Sequence, residues 1–251
     1  MVFHFAVFFW SIIFSFGLWV ISYYPAVFSW GWYFLAVTPL CVISLAAIRR
    51  LTKRSSDAFL PFLLSFSSPL LLSLIDRPAE RVVFVILGAL MYYMALLGNY
   101  RLHHAPTDKT GEAFLNTSAM AGIFFFYAGL YGFYLNFTFP LWGLMLLFVI
   151  GTTLTSYETF ISVDKSKRRR VLFYSMLTGL VMGEMAWVMS FWPFGYLTTG
   201  ALGLIAFFVV WDISFDAFRN TLSLKKALFR VLFFLALMLL LLWSSPWRIL
   251  V

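Results

Sequence analysis

The sequence predicts an all-α, polytopic transmembrane helix bundle of about nine spans, with the N-terminus inside and the C-terminus outside. Hydrophobic residues make up 63% of the 251-residue chain and charged residues only 11%, against about 45–50% and about 25% in a soluble domain. Apolar segments of membrane-crossing length recur along the chain, and short basic runs separate alternate segments. We therefore expect a single transmembrane domain over residues 1–251.

Each span is identified by its length. A hydrocarbon core about 30 Å thick requires about 20 apolar residues of helix, and only helices satisfy their own backbone in lipid without closing a barrel. Pro61 and Pro69 make the third span the least regular. No basic region precedes the first span, which we interpret as a retained helix and not a signal peptide. The predicted spans are 3–23, 30–48, 58–75, 82–98, 117–136, 140–158, 171–190, 195–214 and 229–244.

The orientation follows from the basic residues, which concentrate in cytoplasmic loops. With the N-terminus inside, loops 49–57, 99–116, 159–170 and 215–228 and their flanks hold every Lys and Arg except Arg77, Arg81 and Arg248. Tryptophan prefers the membrane–water interface, and most tryptophans fall at predicted outer ends, while Trp211 falls near an inner end. The outer group is Trp30, Trp32, Trp142, Trp187, Trp192, Trp243 and Trp247.

Several functional classes are disfavoured at this point. The net charge of +8 resembles that of nucleic-acid-binding proteins, but the basic residues lie where membrane orientation requires them, so we expect no nucleic-acid partner. The single cysteine, Cys41, excludes an intramolecular disulfide and a multi-cysteine metal site. The sequence carries no zincin, serine-hydrolase or Walker A motif. We expect neither a metal nor a cofactor.

Glu184 is the most informative single residue, because it lies in the seventh predicted span, toward the outside. An acid at that depth is costly and is by default a candidate functional group; the alternatives are a structural hydrogen-bond anchor between helices and a neutral carboxyl group. Its candidate partners lie in the one charged outer turn, whose charges could instead pair with one another. The charged residues of that turn are Asp76, Arg77, Glu80 and Arg81.

Asp212 and Asp216 form a D-x-x-x-D pair at the inner end of the eighth span. Carboxylates four residues apart share a helix face and could together hold a Mg²⁺ ion and a pyrophosphate. This pair resembles one half of the aspartate-rich motifs of UbiA-type membrane prenyltransferases. The resemblance implies about nine helices, Mg²⁺ and a second such motif. The loop after the second span, where that motif would belong, contains no paired carboxylates between Arg49 and Arg54. Charges that cap a helix end are the alternative.

The densest basic run lies in the third inside loop. Such runs attract anionic lipid headgroups, so we expect membrane lipids as partners, while retention of the loop inside is the simpler role. The run comprises Lys165, Lys167, Arg168, Arg169 and Arg170.

Small residues in the seventh span form a G-x-x-x-G pair, Gly179 and Gly183. Such a pair allows helices to approach closely. We interpret it as packing within the chain, with a dimer face as the alternative.

Three functional classes remain open. The first is a non-catalytic envelope component: a scaffold, an accessory subunit with a membrane-protein partner, or a lipid-binding module. The second is a small permease that uses Glu184, and the third is a lipid-modifying enzyme that uses Asp212 and Asp216. Sparse intramembrane charge favours the first class. The compact loops and strong charge bias favour a bacterial inner membrane.

Overall fold

The computed structural model describes residues 2–23, 30–52, 58–105, 107–163 and 168–244. These residues form nine α-helices and no strand, so the predicted all-α fold is confirmed. The helices are α1 (Val2–Tyr23), α2 (Trp30–Leu51), α3 (Phe59–Leu72), α4 (Pro78–His104), α5 (Lys109–Asn136), α6 (Leu141–Val163), α7 (Arg168–Met189), α8 (Tyr196–Arg219) and α9 (Leu224–Ser244).

Each helix coincides with one predicted span. Seven of them, α1 and α4 to α9, are long and apolar enough over their described residues to cross a membrane. The helix α3 has 14 residues, and the side chains of α2 are described only from Val37 onward. The chain is therefore a multi-pass membrane protein.

Several helices extend beyond the predicted spans into polar sequence. Most of predicted loop 99–116 is helical, because α4 continues to His104 and α5 already begins at Lys109. Asp108 supports this early start, since its carboxylate accepts the Thr110 N–H at 3.0 Å. Hydropathy detects only the apolar part of a helix, so it did not predict the polar ends of α4 and α5 as helical.

The helices group into two compact units, Met1–Gly129 and Leu130–Val251, which we call unit 1 and unit 2. The prediction of a single domain remains a prediction. In unit 1, α1 packs on α4 and α2, and α3 packs on α2 and α4. Phe14 of α1 stacks on Tyr92 of α4, with ring centroids 4.0 Å apart.

In unit 2, α7 packs on both α6 and α8. The G-x-x-x-G pair faces α6: a Cβ built on Gly179 would lie 2.7 Å from the Val149 carbonyl oxygen, and one on Gly183 would lie 2.5 Å from a Val149 methyl group. Thr178 faces the other neighbour and donates to Ser214 of α8 at 3.2 Å. The small residues thus pack within the chain.

Candidate functional site

Asp212 and Asp216 of α8 both engage Arg230, which α9 contributes. Nε of Arg230 lies 2.9 Å from Oδ2 of Asp212, and its Nη1 lies 2.5 Å from Oδ2 of Asp216. The two carboxylates share one helix face because they are four residues apart. One guanidinium, with its fixed fork of donors, therefore holds both.

This arrangement bears on the Mg²⁺ site that the resemblance to UbiA-type prenyltransferases implies. The three side chains are only 17% to 29% exposed, and the Thr221 hydroxyl donates to the second oxygen of Asp216 at 3.3 Å. Oxygens that accept from a guanidinium are not free to bind a hard cation. In the described residues, no group of three or more His, Cys, Asp or Glu side chains could hold a metal ion. The pair is arranged to anchor a helix.

The anchored helix is α9, none of whose described residues is buried. The rings of Phe208 on α8 and Phe234 on α9 lie 5.2 Å apart and supply an apolar contact beside the charges. Because the described residues of α9 gain little from burial, the contacts of Arg230 with Asp212 and Asp216 contribute to its position on α8.

Arg170 joins the first turn of α7 to the last turn of α8. Its guanidinium donates to the Ala217 carbonyl oxygen at 3.2 Å and to Oδ1 of Asn220 at 2.6 Å, and it lies over the rings of Tyr174 and Phe218. Asn220 occupies the left-handed region, with φ of 57°, which asparagine tolerates at a helix C-terminus. Arg170 thus has a structural role in this corner of unit 2.

An aromatic cluster joins α6 to α8. The ring of Phe160 on α6 stacks with Trp211, Phe215 and Phe218 of α8, at centroid distances of 5.8 to 6.3 Å. The Trp211 indole N–H donates to the Thr159 hydroxyl at 3.0 Å. The predicted interfacial position of Trp211 therefore coincides with a packed helix junction.

Arg219 is exposed at this junction and lies over the Phe215 ring. Four further basic side chains are exposed there, and we call them the basic rim: Arg168, Arg169, Lys225 and Lys226. Within the described part of the chain, none of the four forms an ion pair with a carboxylate. Arg168 and Arg169 belong to the predicted lipid-facing run, whereas Lys165 and Lys167 of that run lie outside the described residues.

In the predicted outer turn of unit 1, one pair of charges binds within the turn and another cation binds backbone oxygens. Arg77 bonds Glu80 at 3.1 Å, and Arg81 donates to the Ile75 carbonyl oxygen at 2.6 Å and to the Ser22 carbonyl oxygen at 3.4 Å. The bond to Ser22 ties the start of α4 to the end of α1, so Arg81 is engaged in holding unit 1 together. Asp76 is exposed.

Glu184 lies on the exposed face of α7, in unit 2. Its exposed neighbours on that face are apolar: Leu180 one turn before it, and Trp187 and Val188 one turn after it. Among the described residues it forms no ion pair, and the side chain lies away from the core of its own unit; its depth in a membrane stays a prediction.

Sequence reasoning missed a buried hydroxyl cluster in unit 1. Ser44 of α2 donates to the Leu40 carbonyl oxygen at 3.0 Å, so its oxygen accepts from both Ser65 of α3 and Tyr92 of α4, the latter at 3.0 Å. All three side chains are fully buried. Serines in the third span were the only signal, and nothing in the spacing paired them with Tyr92.

A model of the family described as protein of unknown function (DUF5656) matches residues 5–244. The chain belongs to the DUF5656 family. The match runs from α1 to the last residue of α9, so Glu184, the Asp212–Asp216–Arg230 contact and the basic rim all lie in the DUF5656 region. No curated protein and no solved structure matches this DUF5656 chain.

Proposed function

We propose that this DUF5656 protein is a non-catalytic membrane component that binds anionic lipid headgroups with the basic rim of unit 2. The observation that carries the proposal is that the nearby carboxylates pair with Arg230 and not with the basic rim. Asp212 and Asp216 are taken up by Arg230, so these carboxylates are not available to neutralise the four exposed cations. A surface of uncompensated Lys and Arg at a membrane interface attracts anionic lipid.

The surroundings of the basic rim suit a whole lipid and not a soluble anion alone. Leu172 and Phe173 follow the rim on α7, and Leu228 and Phe229 follow it on α9; all four are exposed. A lipid whose phosphate is held by the basic rim would place its acyl chains along these four apolar side chains. A bacterial inner membrane, rich in cytoplasmic-face anionic lipid, remains the proposed location.

The two other functional classes find less support. An enzyme acting through Asp212 and Asp216 would need both carboxylates free to bind a cation, and Arg230 already holds Oδ2 of each. A permease acting through Glu184 would need that carboxyl in a polar path, and its neighbours on the α7 face are Leu180, Trp187 and Val188.

The test compares retention of fluorescent phosphatidylglycerol and phosphatidylcholine by the purified full-length protein. We expect preferential binding of phosphatidylglycerol that weakens about fivefold for each of Arg168→Gln, Arg169→Gln, Lys225→Gln and Lys226→Gln, from about 1 kcal/mol per basic residue near the surface. High salt should reduce the preference.

Arg77→Gln is the matched control, because it removes an exposed cation from unit 1 and leaves the rim intact. Equal binding of the two lipids by the wild type would overturn the proposal. So would unchanged phosphatidylglycerol binding by a variant that carries all four of these substitutions. Equally tight binding of inorganic phosphate would also count against a lipid ligand.

A further inference from the structure

Glu184 places a carboxyl group on a face of α7 at a level within the membrane. Glu184 is five residues before the end of α7 at Met189, which places it about 8 Å along the axis from that end. Arg168 begins the same helix about 24 Å away. A group so placed lies within the hydrocarbon core of a bilayer about 30 Å thick.

The neighbours of α7 in unit 2 do not cover this face. Gly179 and Gly183 face α6, and Thr178 faces Ser214 of α8. The remaining side of α7 is an exposed stripe of apolar side chains with one acid, Glu184. It consists of Phe173, Met176, Leu177, Leu180, Glu184, Trp187 and Val188.

Lipid alone is a poor environment for that acid. A carboxylate in hydrocarbon is strongly unfavourable unless it is paired, and the exposed residues between Glu184 and the helix end are Trp187 and Val188, not polar groups. Among the described residues Glu184 forms no hydrogen bond or ion pair. The complement that this face requires is a cation embedded at the same depth.

We propose that this stripe binds a transmembrane helix of another protein that carries a lysine or arginine in its outer half, paired with Glu184. A second copy of this chain is a weaker candidate. Its cations toward the outer side, among the described residues, are Arg77, which pairs with Glu80, and Arg81, which holds Ile75 and Ser22. The apolar members of the stripe supply van der Waals packing, and the ion pair supplies selectivity.

The probe is a synthetic leucine helix of about 20 residues with one lysine about 8 Å from one end, compared with the same helix lacking lysine. Energy transfer measures binding of each to the labelled full-length protein in phosphatidylcholine vesicles. The wild type should bind the lysine helix about tenfold more tightly, and both Glu184→Gln and Glu184→Leu should lose this preference. Glu80→Gln, which removes an acid from the outer turn, should keep it.

Equal binding of the two helices to the wild type would overturn the proposal, as would a preference that survives in both Glu184 variants. Self-association of the wild type that depends on Glu184, without preference for the lysine helix, would assign the face to a second copy instead. The test is independent of lipid binding by the basic rim, because Glu184 lies about 24 Å along α7 from Arg168; we expect the Glu184 variants to retain phosphatidylglycerol as the wild type does.

Discussion

Among the described residues of unit 2, Arg230 of α9 and Asp216 of α8 form the shortest ion pair between two helices, with Nη1 and Oδ2 2.5 Å apart. The same guanidinium also holds Asp212. The acidic pair that resembles a metal-binding motif in the sequence therefore has a cation from the chain itself.

Arg230→Leu should release α9 from α8. The substitution leaves two partly buried carboxylates without a cation, at a cost of about 1–3 kcal/mol. The measurement is the yield of a short thiol crosslink between Phe208→Cys and Phe234→Cys, with Cys41→Ser as background, since these rings lie 5.2 Å apart. Lys226→Leu, at an exposed position one turn earlier, should leave the yield unchanged. An undiminished yield in Arg230→Leu would show that the fork does not hold α9.

Gly179→Ala should destabilise the α6–α7 pair by about 1–3 kcal/mol, because the added methyl group would meet the Val149 carbonyl oxygen at 2.7 Å. Gly183→Ala should cost less, since its nearest neighbour is a Val149 methyl group that can shift. Gly195→Ala is the control, with no atom within 4 Å of the new carbon. The free energy of unfolding, measured in mixed micelles, ranks the three variants by stability. A dimer face at these glycines would instead change the oligomeric state and leave monomer stability unaltered.

Ser44→Ala should cost more than Tyr92→Phe, although each removes one hydroxyl group. Ser44 accepts two hydrogen bonds, so its loss leaves the Ser65 and Tyr92 hydroxyls buried without an acceptor, at about 1–3 kcal/mol. Tyr92→Phe keeps the stack on Phe14 and loses one hydrogen bond, worth about 0.6 kcal/mol in a membrane helix bundle. Unfolding free energies measure both variants, and the reverse order would contradict the direction assigned to these bonds.

Acid should weaken the α4–α5 connection through Asp108, which lies between the two helices. Although partial burial opposes it, hydrogen bonds from the Thr110 N–H and from Arg101, whose Nε lies 2.6 Å away, hold the pKa of Asp108 below its ordinary value. A carboxyl group with a lowered folded-state pKa stabilises the fold above its unfolded-state pKa and loses that contribution as pH falls through the folded-state value.

Hydrogen exchange of the backbone around Asp108 is the measurement. Protection should be constant near neutral pH and should fall below about pH 4. Asp108→Asn should exchange faster at neutral pH and show a flatter pH dependence in this segment. An identical pH profile for the wild type and Asp108→Asn would exclude the carboxyl group as the source.

The sequence predicted nine helices from apolar segments of about 20 residues, a condition that depends on no other part of the chain, although α3 has only 14 residues. It also predicted that Asp212 and Asp216 share a face, because that spacing lies within one helix. Lipid binding by Arg168 and Arg169 stays a prediction, and so does a functional role for Glu184.

Contacts between helices were decided by the tertiary structure alone. Arg230 was assigned in the sequence to an inside flank, and only the rotation of α9 against α8 brings it to Asp212 and Asp216. Likewise, the exposure of Glu184 depends on which sides of α7 the helices α6 and α8 occupy. Hydropathy determines how many times the chain crosses the membrane, whereas helix rotation and packing determine which polar groups meet.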